Sequence, residues 1–314
     1  MRKVFRSSGW RRAIVVPALS SALVVLLAAS WLVTGDLVTR IPPLLVAAGR
    51  TGAAFLVLMA AAMMRPAHRA ETAIAATRLT GVILLGFLGF AGYYAGTMIG
   101  TGMIGASRVG LITSLLPCIT FIIGAAAFDE RVTCRRIFGT LLALLGACGY
   151  ALADSPVGGG SGDDLATLAG GALLAFAGTA SYALYGYMFR HRMRGLSALG
   201  SLPPIMAAGT LMLAVAVLLF VPTGGIALSD WVRLAALGAI LTAPVFLLLH
   251  ALILRKGPLF TAGLTLLVPL LLRLGEWGLG RIGPPNFLVL SLLGVCAAGV
   301  WLTIGGRVDV AARS

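Results

Sequence analysis

Two apolar runs of this chain place a threonine four residues before a proline: Thr113 before Pro117, and Thr265 before Pro269. Proline has no N–H, so within a helix it leaves the carbonyl four residues back without its usual partner. Here those carbonyls belong to Thr113 and Thr265 themselves. A freed carbonyl beside a threonine hydroxyl can serve a neighbouring helix or a bound solute. The chemistry on offer is binding rather than bond making. The two prolines stand about 150 positions apart. Interrupted helices at matching places in two halves of a chain point to the central binding site of a transporter. The competing reading is a pair of kinks needed only for packing.

Few ionisable groups lie inside the apolar runs. Glu276 is the one acid there, and Arg273 stands one turn before it. Ionisable groups within a membrane are costly and suggest function by default. Glu276 could take a proton or face a cationic group on a substrate. An internal Arg273–Glu276 pair at i, i+3 spacing accounts for both residues more simply. Arg50 could attract a substrate carboxylate or phosphate, and could equally cap helix ends or reach the outer interface. His250 stands alone in its run, as a gating or hydrogen-bonding residue or as packing. The aromatic residues Trp31, Tyr93, Tyr94, Tyr182 and Tyr185 could line a cavity for an amino acid, an aromatic metabolite or an organic cation. Interfacial anchoring of Trp31 and core packing of the tyrosines is the alternative.

His68, His191 and His250 are dispersed, without a second ligand at metal spacing, so no metal site is expected. Cys118, Cys134, Cys148 and Cys296 form no CxxC pair and read as small packing residues. No glycine-rich phosphate loop ending in Lys-Ser/Thr occurs, so ATP is not the expected direct energy source and no cofactor is implied.

The elements that must position these residues follow from composition. Apolar residues make up 59% of the 314 and charged residues 11%. A soluble domain could not hide that much apolar surface. Runs of 18 or more mostly apolar residues are long enough to cross a bilayer as helices. Ten are expected: Ala13–Val33, Leu44–Met64, Leu79–Gly100, Ile104–Phe128, Ile137–Ala153, Leu168–Phe189, Leu202–Val221, Trp231–Leu254, Pro258–Gly280 and Asn286–Gly305. The first has a basic leader but a long apolar core and no clear cleavage site, so a retained helix is favoured over a signal peptide.

The net charge of +14 is a topology signal rather than a nucleic-acid signal. With alternating loops and the N-terminus inside, one side holds 18 of the 24 basic residues, among them Arg65, Arg69, Arg78, Arg135, Arg190, Arg255 and Lys256. The other side holds Arg40, Arg108, Arg233 and Arg281 beside Asp36, Asp154, Asp163, Asp164 and Asp230. This bias places both termini in the cytoplasm, and the basic loops face anionic lipid heads.

Ser30-Trp31 recurs as Ser181-Tyr182, at nearly the same offset as the prolines. A five-helix unit copied once enters the membrane from the opposite side, giving an inverted repeat. Residues 1–153 and 168–314 are the expected repeats. Residues 154–167, polar and glycine-rich, form the expected periplasmic linker.

The run from Ser107 to Leu152 resembles the EamA-type module of the drug/metabolite transporter superfamily. Leu111–Pro117 is followed by the loop Asp129-Glu130-Arg131-Val132-Thr133 and by Gly139 and Gly146. Trp31, Pro43 and Arg50 resemble the same module, and the resemblance favours a structural role for Arg50. In the second half Pro269 is in place, but the acidic-basic loop has become Arg281-Ile282-Gly283-Pro284-Pro285. The resemblance implies an all-α, ten-helix secondary transporter of the inner membrane, exporting an amino acid or related metabolite by alternating access. Its partners would be a small-molecule substrate and membrane lipids, as a monomer or a homodimer. An integral-membrane lipid enzyme would need clustered histidines or carboxylates, which the sequence lacks. A non-transporting scaffold would have no need of matched mid-membrane kinks.

Overall fold

A backbone that leaves water must satisfy its own N–H and C=O groups, and helices do this within one segment. The computed structural model describes residues 6–104, 106–129, 133–154, 165–221, 226–280, 283–284 and 286–304, and among these every regular element is helical. The elements are α1 (Arg6–Val38), α2 (Pro43–Met63), α3 (Pro66–Thr77), α4 (Leu79–Ile104), α5 (Ala106–Ser114) and α6 (Leu116–Ala127). They continue with α7 (Cys134–Asp154), α8 (Leu165–Arg192), α9 (Ala198–Phe220) and α10 (Leu228–Lys256). The last three are α11 (Pro258–Thr265), α12 (Val268–Gly278) and α13 (Phe287–Ile304). Most of the expected linker lies outside the described residues, as do Glu130, Arg131 and Val132 of one motif loop and Arg281, Ile282 and Pro285 of the other.

Eight of the described segments are long and apolar enough to cross a membrane, counting α5–α6 and α11–α12 as one each. The helices α7 and α13 fall outside that count. The apolar part of α13, Phe287–Thr303, is shorter. Large apolar side chains cover the outside of the bundle: Leu56, Leu145, Leu173, Leu218 and Ile240 are all exposed. Apolar area on that scale needs a lipid solvent. The chain is a multi-pass membrane protein.

Most buried side chains form one core joining α1, α2, α4, α8, α9, α10, α11 and α12. A separate small core holds Ala143 and Ala147 of α7, Cys296 and Val300 of α13, and Leu266, and Leu267 packs against both cores. Between lipid-covered helices, close backbone approach supplies the packing energy, and small residues allow it. A Cβ added at Gly146 of α7 would stand 2.5 Å from the backbone nitrogen of Cys296, and one at Gly299 of α13 would stand 2.2 Å from that of Ala143.

Two contacts mark the ends of the bundle. At one end Arg40, in the α1–α2 turn, lies 4.0 Å from Asp230 at the start of α10. At the other, α3 docks on the start of α9. The Ser197 oxygen accepts from the Gly200 N–H at 3.1 Å, and its hydroxyl donates to Glu71. His68 Nδ1 lies 3.2 Å from the Ser197 hydroxyl and 3.3 Å from the same carboxylate oxygen. Arg65, Arg69, Arg78, Arg192, Arg194, Arg255 and Lys256 gather at this α3 end. Burial pushes the Glu71 carboxyl up, but hydrogen bonds from Ser197 and His68 outweigh it and hold the group below its ordinary 4.5.

The depressed value means that the Glu71 contact stabilises the fold above pH 4.5 and is lost as pH falls through the lowered folded value. The Glu71→Gln variant should therefore show a flatter fall in melting temperature on acidification than the parent protein in detergent. Ser197→Ala removes the cap as well and should cost about 1 kcal/mol at neutral pH. At the α7–α13 contact, Gly146→Val should cost about 1–3 kcal/mol through overpacking. An unchanged melting temperature in Gly146→Val would show that this pair does not hold the fold.

Candidate substrate-binding site

The two proline runs are built alike. Helix α5 ends at Ser114, and Leu115 makes one tight turn, its N–H donating to the Ile112 carbonyl at 3.1 Å. Helix α6 restarts at Leu116 with Pro117 as its second residue. Helix α11 ends at Thr265, and Leu266 and Leu267 make the same i to i−3 bonds at 3.2 and 3.1 Å. Helix α12 restarts at Val268, again with proline, Pro269, as its second residue. Proline is well placed in a first turn, where an N–H would have no helical partner. The prolines therefore open new helices rather than bend continuous ones. The Thr113 hydroxyl donates to the Gly110 carbonyl at 2.9 Å, and the Thr265 hydroxyl to that of Ala262 at 2.8 Å. A cysteine approaches each break. Cys148 Sγ lies 3.7 Å from the Ser114 hydroxyl, and Cys296 donates to the Leu266 carbonyl at 3.2 Å.

A second matched feature was not read from the sequence. Helix α4 widens into a π-turn at Phe87–Ala91, and α10 does so at Leu237–Thr242. Such turns are frequent at functional sites. Each holds a glycine that admits a neighbour. The ring of Tyr185 sits where a Cβ of Gly89 would be, at 2.6 Å, and the Arg50 carbonyl lies 2.7 Å from the position of a Gly238 Cβ. The Leu88 carbonyl accepts from Ser181 of α8 at 2.9 Å. Only the glycine within each run hinted at this in the sequence.

These elements bring the tyrosines into one file. Ring centroids of Tyr93 and Tyr94 are 5.1 Å apart, Tyr93 and Tyr182 4.8 Å, and Tyr182 and Tyr185 5.7 Å. The Tyr185 ring meets His250 edge-on at 5.6 Å. Nδ1 of His250 lies 2.6 Å from the Phe246 carbonyl, which can only accept, so Nδ1 carries the proton. Nε2 then accepts from the Tyr185 hydroxyl. His250 is fully buried, and Phe189 and Phe246 enclose it. At the far end of the file, Arg50 of α2 bonds Thr34 and Ser30 of α1 at 3.1 and 3.0 Å. Arg50 lies about 10 Å along α2 from the α1–α2 turn, and His250 about 9 Å from the α3 end of α10, at 1.5 Å per residue.

Beside the file lies a cavity of about 20 Å³, room for about one water. Tyr182, Tyr185 and Gly186 of α8 line it with Thr120 of α6, Ile253 of α10, and Thr261 and Thr265 of α11. So Thr265 reaches the cavity, while Thr113, its counterpart in the first half, does not line it. Pro117 is buried and Pro269 half-buried, and both act through the breaks they open. Trp31 is 43% exposed and lies outside the file. Arg273 and Glu276 sit half-buried in α12 and line neither the file nor the cavity. Tyr93 and Tyr185 hold the file together as much as Tyr94 and Tyr182 do.

Removing the Tyr185 hydroxyl leaves a buried imidazole nitrogen without a donor. Tyr185→Phe should therefore lower stability by about 1–3 kcal/mol. Adding His250→Phe should recover part of the loss, because the pair is then removed together. Additive losses in the double variant would show that the two groups do not depend on each other.

The family model described as the EamA-like transporter family matches residues 16–152, the stretch from α1 to the end of α7. No curated protein matches the sequence. A solved chain, described only as the crystal structure of a protein, is similar over 91% of this chain and 96% of its own length, with a TM-score of 0.75 at 18% identity. At that identity the likeness shows a shared fold. Residues 16–152, which hold the first break and the first π-turn, are therefore what is similar to the EamA-like transporter family, and the whole chain shares its fold with the solved structure.

Proposed function

We propose that the protein is a secondary transporter that moves a small metabolite across the membrane by alternating access, most simply exporting an amino acid or a related compound. The observation that carries this reading is the polar file from Arg50 through Tyr93, Tyr182 and Tyr185 to His250, set inside a lipid-covered bundle beside two broken helices. Such a file gives a polar solute partners at depths where lipid offers none. Broken helices at the site supply backbone groups that can exchange partners as the halves rock.

In this reading the chain has ten spans, α7 and α13 included, in two inverted units of residues 1–153 and 168–314 joined by the linker 154–167. Two matched features support it. The fourth segment of each unit breaks with proline as the second residue of the new helix, and the third segment of each carries a π-turn. The basic α3 end faces the cytoplasm by the positive-inside rule, and both termini lie there, in an inner membrane. Arg78, His191 and Arg192 edge an open basic pocket at that end, where anionic lipid heads would sit.

Proteoliposomes should pass a mixture of labelled amino acids faster than protein-free liposomes. Thr265→Val should slow that flux roughly tenfold, the worth of one lost hydrogen bond to the solute. Thr113→Val, away from the cavity, should change it little. Equal flux with and without protein would remove the reading. Equal loss in both variants would move the site to the paired breaks themselves.

A further inference from the structure

We propose that Arg50 is the docking point for a carboxylate, so that the transported solute is a small organic anion or zwitterion and not an organic cation. This rests on the transporter reading above. Arg50 is 8% exposed. Its Nη1 and Nη2 donate to the hydroxyls of Thr34 and Ser30, both neutral. Its Nε is buried without a hydrogen-bond partner. The ion pairs seen among the described residues belong to Arg40, Arg233 and His68, and none brings a carboxylate to Arg50.

A guanidinium held only by hydroxyls in a membrane interior is an expensive arrangement. A clamp between α1 and α2 needs no charge, since a neutral amide could bond the same two hydroxyls. The charge makes sense with an anion that comes and goes. Arg50 is close enough to the Tyr93 hydroxyl to interact with it electrostatically. Tyr93 opens the ring file to Tyr94 and Tyr182. The planar fork of arginine matches a carboxylate with two parallel bonds. A cationic solute would meet a like charge at the same place.

The test compares acids with their amides, which keep the size and shape but replace the carboxylate by a neutral group. Leucine and leucinamide, phenylalanine and phenylalaninamide, and 3-phenylpropionate and its amide form three pairs. Each is titrated against the detergent-purified full chain by thermal shift and then assayed for flux in proteoliposomes. For at least one pair the acid should bind at least tenfold more tightly than the amide. Arg50→Gln should erase that preference, and Arg50→Lys should keep part of it. Where Arg50→Gln does not fold, the acid–amide comparison on the parent protein decides alone.

Amides that bind as well as acids would overturn the assignment, and so would an acid preference that survives Arg50→Gln. Chloride stabilising the protein as strongly as the acids would also overturn it, leaving Arg50 a simple halide site. Flux of the amides at the rate of the acids would overturn Arg50 while leaving the transporter reading intact. Absence of flux for every compound, with the acid preference present, would uphold the anion site and count against transport.

Discussion

The whole structure depends on one constraint: inside lipid, every backbone polar group must find a partner within the protein. It explains why the described residues form helices throughout, and it sets the form of the breaks. Where α5 gives way to α6 and α11 to α12, tight i to i−3 bonds carry the chain across, and proline starts the next helix where no N–H is wanted. The groups that helices release are taken up by side chains from elsewhere. Ser181 serves the Leu88 carbonyl beside one π-turn, and Cys296 serves Leu266 at the second break. Irregular backbone is kept where the protein itself surrounds it.

Packing follows from the same solvent. Lipid gives no hydrophobic drive between helices, so contact distance matters most. Glycines bring α7 and α13 together to near backbone contact, and Gly89 lets the Tyr185 ring lie against α4. That placement puts the Tyr185 hydroxyl within reach of His250. A packing requirement on α4 thereby orients a polar pair at the His250 end of the file. The π-turns serve this arrangement, since each sets a glycine against a neighbouring ring or backbone.

The polar groups along the file are of two kinds. His250 is satisfied on both ring nitrogens, by Tyr185 and by the Phe246 carbonyl, and is enclosed by aromatic rings. Arg50 is satisfied in part, with one nitrogen buried and unbonded. A fully satisfied buried network rigidifies, and a polar group left unpaired there is costly. The difference separates a closed Tyr185–His250 pair from a guanidinium that keeps one nitrogen unbonded.

The sequence by itself determined the helical class, the membrane as solvent, the places of both breaks and the basic end of the bundle. Those features follow from local hydrophobicity, from the missing N–H of Pro117 and Pro269, and from the charge of the loops. Each depends on residues near one another in the chain. Tertiary structure alone decided that Thr265 lines the cavity and Thr113 does not, that Trp31 stays outside the file, and that Glu276 and Arg273 stand apart from it. It also decided that Tyr182 stands between Tyr93 and Tyr185, that Tyr185 reaches His250, and that α4 and α10 widen into π-turns. The reason is physical: a helix has several faces of nearly equal hydropathy here. Which face turns inward is settled by the distances at which other helices can approach it, and residues 65 positions apart, such as Tyr185 and His250, set those distances.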